Sequence, residues 1–312
     1  MASEIEIRGQ KMTELISFIS ESARNACLME VLAPKPGNVH PDGEWNFHNL
    51  RVMDFIRSSE AIRRTFADLE KNGLGQLVFN SIIATRKVTS SNTNLGQVLL
   101  LVPIALVFFE FHELSVSNLQ NLLMKSTVED SIHVYQAIKL AKPGGMGESK
   151  DQDINDIPQL KLFDIMKIAA DRDSIAKQLT TGFHDVFDIG VPALIRYWDQ
   201  TTHWRDAIVQ CHLFLMSKIP DTLIARKCGE KTALESASRA AGVLELPLLS
   251  EQYYSELNKL DEWLRADGNR RNPGTTADLV TAVLFVALLQ DIILMPSEIE
   301  TLSQSIQSER RK

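Results

Sequence analysis

Apolar residues recur at helical rather than strand spacing along almost the whole chain. Between Met12 and Val31 they fall at Met12, Leu15, Ile16, Ile19, Ala23, Ala26 and Cys27, the i, i+3, i+4 stripe of a helix with one buried face. Similar patterns cover 50–70, 94–113, 117–141, 159–170, 173–200, 203–218, 221–241, 250–266, 276–292 and 296–310, and strict apolar–polar alternation over six or more residues is hard to find. Turn formers are scarce as well: 15 glycines and 11 prolines in 312 residues. That is below the roughly 12% of average usage and argues against a many-turned sandwich or barrel. No repeat of fixed period and no low-complexity linker divides the chain. The spacing therefore predicts an all-α fold, a single compact domain over residues 1–312 with about ten to twelve helices. Ser115 or Ser117 should cap one helix, Pro158 and Pro220 should open two others, and Thr275 with Asp278 has the spacing of a capping box.

The net charge of −7 argues against a nucleic-acid partner without excluding a local basic pocket. Cys27, Cys211 and Cys228 are odd in number and widely spaced, which fits reduced, mostly buried thiols in a cytoplasmic protein rather than a disulfide frame or a metal knot. The first ten residues hold no apolar signal core. The longest apolar runs, Val98 to Phe109 and Leu279 to Leu289, fall short of the ~18 residues of a membrane span and read as core helices. Either could also serve a homodimer interface, which the sequence leaves open.

Four segments rich in turn formers break the helical pattern, 33–47, 84–94, 142–158 and 267–276, and all but the second together hold half of the glycines and prolines; a helical scaffold would hold its chemistry there. In the first, Lys35-Pro36-Gly37-Asn38 follows Glu30: lysine offers a charge for phosphate, Gly37 a close backbone approach, and Glu30 a general base or metal ligand. The bland alternative is a helix stop with a solvated lysine. In the second, Asn92-Thr93-Asn94-Leu95-Gly96 opens an apolar helix, either as ordinary caps or as an anion site, and Gly96 would admit a close neighbour. In the third, Pro143-Gly144-Gly145-Met146-Gly147-Glu148 could wrap phosphate through backbone amides, or be a mobile surface loop; it has neither P-loop nor dinucleotide spacing. In the fourth, Arg270-Arg271 precedes Asn272-Pro273-Gly274-Thr275-Thr276-Ala277-Asp278, two guanidinium groups beside a helix start, with Asp278 a capping acid or a metal ligand. Asp221-Thr222 opens a helix whose next turn carries Arg226 and Lys227. His133 and His184-Asp185 read as helix-face residues, and no histidine pair has metal-ligand spacing.

The order of these motifs says more than any one of them. E-V-x-x-x-K-P-G, N-T-x-x-G, G-G-M-G-E after a Tyr135-bearing helix, D-T at 221 and N-P-G-T-T-A-D-L together resemble the triphosphoribosyl-dephospho-CoA synthase family, from about Cys27 to Leu288. The resemblance implies an all-helical transferase. It would move the triphosphoribosyl group of ATP to the 2′-hydroxyl of 3′-dephospho-CoA and release adenine, or act on another phosphorylated ribosyl substrate. It implies Glu30, Glu148 and Asp221 as catalytic groups and Lys35, Gly37, Asn92, Thr93, Gly144, Gly145, Arg271, Gly274 and Thr275 around the substrate phosphates. Asp278 and Asp221 would hold Mg²⁺, inferred from triphosphate chemistry. Members serving citrate lyase differ in the same loops: Phe47-His48-Asn49-Leu50 stands where they have H-K-D-M, and Asn94-Leu95 where they have His-Lys. Gly145-Met146 replaces their Ala-Arg, Leu223 their Asn, and Arg226-Lys227 their His-Arg. Two other readings stay open, an enzyme of another cofactor pathway such as methanopterin-type one-carbon carrier biosynthesis, and a non-catalytic helical nucleotide-binding protein.

Overall fold

The computed structural model describes residues 2–42, 51–145 and 152–308. Among them are fifteen α-helices and no strand: α1 (Ala2–Leu32), α2 (Val52–Phe66), α3 (Leu74–Arg86), α4 (Leu95–Phe111), α5 (Val116–Met124), α6 (Val128–Ala141), α7 (Leu162–Ala169), α8 (Ser174–Thr181), α9 (Val191–Gln200), α10 (Trp204–Lys218), α11 (Thr222–Cys228), α12 (Glu230–Leu244), α13 (Glu251–Arg265), α14 (Gly274–Leu289) and α15 (Ser297–Ser308). The all-α expectation holds, and the count exceeds ten to twelve for local reasons. The periodic stretch 117–141 breaks where Thr127 caps α6 in a capping box with Asp130, whose carboxylate accepts from the Thr127 N–H at 2.8 Å. The stretch 173–200 breaks at Gly182, in the left-handed region at φ 66°, and continues through a π-helical turn at Asp185–Gly190. Gly229, at φ 91°, separates α11 from α12.

Helix α3 went unforeseen because two positions of its buried stripe are polar. Leu74, Leu77, Val78 and Ile82 face inward together with Ser81 and Thr85. Ser81 donates its hydroxyl to the Leu77 carbonyl at 2.8 Å, which makes a hydroxyl tolerable there. The start signals were right in part. Ser115 caps α5, accepting from the Asn118 N–H. Pro158 opens nothing, since α7 begins at Leu162, and Pro220 sits one residue before the cap Asp221. Thr275 is already inside α14, so its expected capping box with Asp278 does not form and the Asp278 side chain is left for other work.

Helices α4 and α14 carry apolar residues on every face and are buried accordingly. α14 packs against α1, α4, α9 and α10, with Leu279, Val283, Phe285 and Val286 fully enclosed. Each such side chain contributes about 1.5–3 kcal/mol on burial. A second, smaller apolar cluster joins α10 to α13 through Leu213, Met216, Ile224, Leu260 and Leu264. Among the described residues no single helix is long and apolar enough to cross a membrane; α4 and α5 reach that length only as a pair bent by 109°. The polar starts of the two central helices, Asn94-Leu95-Gly96 and Gly274-Thr275, emerge from the core at one place, where the end of α1 and the loop after α6 also arrive.

Candidate functional site

A cavity of about 790 Å³ opens there, within the usual size of a small-molecule site. Its walls bring together the far-apart sequence motifs: Glu30 from α1, Asn92 and Thr93 before α4, Gly144 and Gly145 after α6, and Gly274, Thr275 and Asp278 of α14. The rest of the wall is largely apolar, from α6, α7 and α8.

The floor is built by two carboxylates in unlike surroundings. Glu30 is 4% exposed, and its Oε1 faces the Lys35 ammonium at 3.0 Å. Its Oε2 accepts from Gln97 Nε2 at 3.4 Å, and the same amide donates to Thr281 Oγ1 at 3.0 Å. Asp278 has no hydrogen bond or ion pair among the described residues. Burial first, then the nearby charges of Glu30, Asp221 and Asp173, push its carboxyl well above the usual carboxylate range. Gly96 makes this packing possible. A Cβ at that position would lie 2.0 Å from Asp278 Oδ2, so any side chain would expel the carboxylate. The close approach expected at Gly96 is thus made by Asp278.

Other expected residues lie elsewhere. Lys35 is fully enclosed rather than turned to the cavity: besides Glu30, its ammonium donates to the backbone carbonyls of Glu30 and Ala33. Burial pulls the Lys35 ammonium below its ordinary value, and Glu30 opposes that pull. Gly37, at φ 72°, donates its N–H to Asp261 Oδ1 at 2.7 Å, and its carbonyl accepts from Asn272 Nδ2 at 2.8 Å. Its role is to clasp the first loop to α13 and to the fourth. Arg271 donates to the Trp263 carbonyl at 2.9 Å and lies over the Trp263 ring, 4.5 Å from its centroid, away from the cavity. Asp221 is 1% exposed, with both oxygens occupied: Oδ1 accepts from the N–H groups of Leu223 and Ile224, Oδ2 from Thr276 N–H and Oγ1 at 2.7 and 2.9 Å. It joins the starts of α11 and α14. Glu148, Met146 and the 47–50 stretch fall outside the described residues.

Asp278 and Asp221 do not together fit a protein-held Mg²⁺, because Asp221 has no free lone pair aimed at a cation. Among the described residues no three His, Cys, Asp or Glu side chains converge as a ligand set.

Sequence reasoning missed several wall residues. Asp173 caps α8 through the N–H groups of Ile175 and Ala176 and pairs with Arg226; its signal was an Asp-Ser pair opening a helix. Gln97 was legible as a lone amide inside an apolar run. Tyr135 reaches the Gln152 carbonyl at 2.6 Å, and its phenol is pushed up to about 12, chiefly by burial.

A family model described as ATP:dephospho-CoA triphosphoribosyl transferase matches residues 16–296. The chain belongs to this family. A protein of Acinetobacter calcoaceticus, named as a probable 2-(5″-triphosphoribosyl)-3′-dephosphocoenzyme-A synthase, is 22% identical over 282 residues, covering 85% of this chain and 88% of the relative. A crystal structure from Archaeoglobus fulgidus, proposed to be a triphosphoribosyl-dephospho-CoA synthase, superposes with a TM-score of 0.57 at 24% identity, over 77% of this chain and 98% of that one, and shares the fold. The matched span of the transferase family takes in every described wall of the cavity.

Proposed function

We propose that this transferase moves the triphosphoribosyl group of ATP to the 2′-hydroxyl of 3′-dephospho-CoA with release of adenine, and that the reaction takes place over Glu30 and Asp278. The observation that carries the reading is the pair itself: two cavity carboxyls in contrasting surroundings, one beside a lysine, the other bare, with Gly96 making room for the second. Such a contrast suits a base and an acid working on one bond exchange. The acceptor oxygen attacks C1′ of the ribose; the C1′–O bond forms as C1′–N9 breaks, and the electron pair leaves with adenine. Glu30 takes the hydroxyl proton, and Asp278, kept protonated by burial, supplies one to the departing base.

Charge on the walls supports a phosphorylated ligand. The starts of α4 and α14 point their positive dipole ends at the cavity, and Arg226 and Lys227 line it from α11. Asn92, Thr93, Gly144, Gly145, Gly274 and Thr275 keep the substrate-binding role, whereas Lys35, Gly37 and Asp221 support the walls. The reading places the chain in the cytoplasm as one domain, with the free thiols of Cys27 and Cys211 buried in the core.

The test is to incubate the protein with ATP and 3′-dephospho-CoA and to follow free adenine and the mass of the product. Adenine should appear only with the acceptor, and Glu30→Gln and Asp278→Asn should each slow it by about 10²–10⁴-fold. Tight ATP binding with no adenine from this acceptor would overturn the reading.

A further inference from the structure

Lys227 has no partner where the arginines around it each have one, and the other lysine of the cavity wall, Lys142, is exposed to solvent. Lys227 lines the cavity from the last turn of α11, and no hydrogen bond or ion pair to its ammonium occurs among the described residues. Arg226 pairs with Asp173, Arg86 donates to the Ser90 carbonyl, Arg270 to the Lys227 carbonyl at 2.6 Å, and Arg271 to that of Trp263. Asp221, the nearby carboxylate, is saturated by its four donors.

The lysine stem lies across the bare backbone of the glycine loop. A methyl added to Gly144 would sit 3.1 Å from Lys227 Cε and 3.6 Å from Nζ. On Gly145, itself at φ 74°, it would sit 3.2 Å from Lys227 Cγ and 3.3 Å from Arg226 Cβ. The two glycines therefore seat the lysine as well as exposing amides. Burial draws the ammonium below its ordinary value; the charges of Asp221 and Cys228 oppose that pull and those of Arg226 and Arg270 add to it, so in the free protein a cation is held partly desolvated with no hydrogen-bonded partner. An arrangement of this kind is explained by an anion that completes it.

We infer that Lys227, seated on Gly144 and Gly145, grips the polyphosphate of the nucleotide and so takes the role that the sequence suggested for Lys35. The inference rests on the cavity being the nucleotide site, but it concerns binding and can be read without turnover. The experiment records melting temperature with and without inorganic triphosphate for the wild type, Lys227→Gln, Lys227→Arg and Gly144→Ala, and KM and kcat for ATP in parallel. Inorganic triphosphate should raise the melting temperature of the wild type, not that of Lys227→Gln, and in part that of Lys227→Arg. Gly144→Ala should weaken the effect by displacing Cε. Removing an unpartnered charge should leave the ligand-free melting temperature of Lys227→Gln unchanged or higher, so loss of the shift cannot be mistaken for unfolding. KM for ATP should rise about tenfold or more in Lys227→Gln with kcat retained. A wild type that triphosphate does not stabilise, a Lys227→Gln protein that it stabilises equally well, or a loss confined to kcat would each overturn the inference. Should triphosphate bind through Lys227 while ATP yields no adenine, the transfer reading falls and this one stands.

Discussion

The loop after α1 and the loop after α6 hold the same ingredients, proline and glycine beside lysine, and the fold uses them in opposite ways. In the first, Lys35 turns inward onto Glu30 and two carbonyls, while Gly37 bonds to Asp261 and accepts from Asn272. In the second, Lys142 is exposed, Gly144 and Gly145 line the cavity, and the lysine that lies on them arrives from α11. Composition marks a loop as a candidate for phosphate; partnering decides whether it can serve. A donor already bonded to protein has nothing left for a ligand.

Substitutions can break this contrast. The largest stability loss is expected for Lys35→Ala. It would strand Glu30 as a buried charge and lower unfolding free energy by about 3–5 kcal/mol, read by denaturant titration. Gly37→Ala should follow at about 1–3 kcal/mol, since its φ is left-handed and its Cβ would lie 2.9 Å from Leu264 and Pro273. Gly144→Ala should change stability by no more than about 0.5 kcal/mol while raising KM for ATP, because only Lys227 stands near its methyl. Equal stability losses at Gly37 and Gly144 would erase the distinction between a structural loop and a binding loop.

The helical scaffold was legible because burial leaves a periodic trace. The stripe through Ile19, Ala23 and Ala26 is core, and the apolar runs 98–109 and 279–289 became the central helices. Helix α3 was hidden because Ser81 and Thr85 take apolar positions and satisfy their hydroxyls locally or with Asn94. At the site, the order of motifs identified which loops meet, and Glu30, Asn92, Gly144 and Asp278 do line one cavity. Sequence could not reveal which polar groups would already be spent. Asp221 and Lys35 look like ligand groups in one dimension; the packing of α11 on α14 takes the free oxygen of the first, and the fold-back of the first loop onto the end of α1 encloses the second.

The central claim is that Asp278 is kept bare and protonated for chemistry at the expense of stability, and Asp278→Asn tests it most directly when adenine release and melting temperature are read on the same protein across pH. In the wild type the folded state holds a proton on Asp278 that the unfolded chain loses above the ordinary aspartate value of about 3.9. The folded state then binds more protons, so this group's contribution to stability is present below that pH and is lost as pH rises toward the raised value. Asparagine removes the dependence. The account predicts that Asp278→Asn slows adenine release by about 10²–10⁴-fold while melting higher than wild type, by a margin that grows with pH above the ordinary carboxylate range. A variant that releases adenine at the wild-type rate, or that is less stable than wild type throughout, would contradict it.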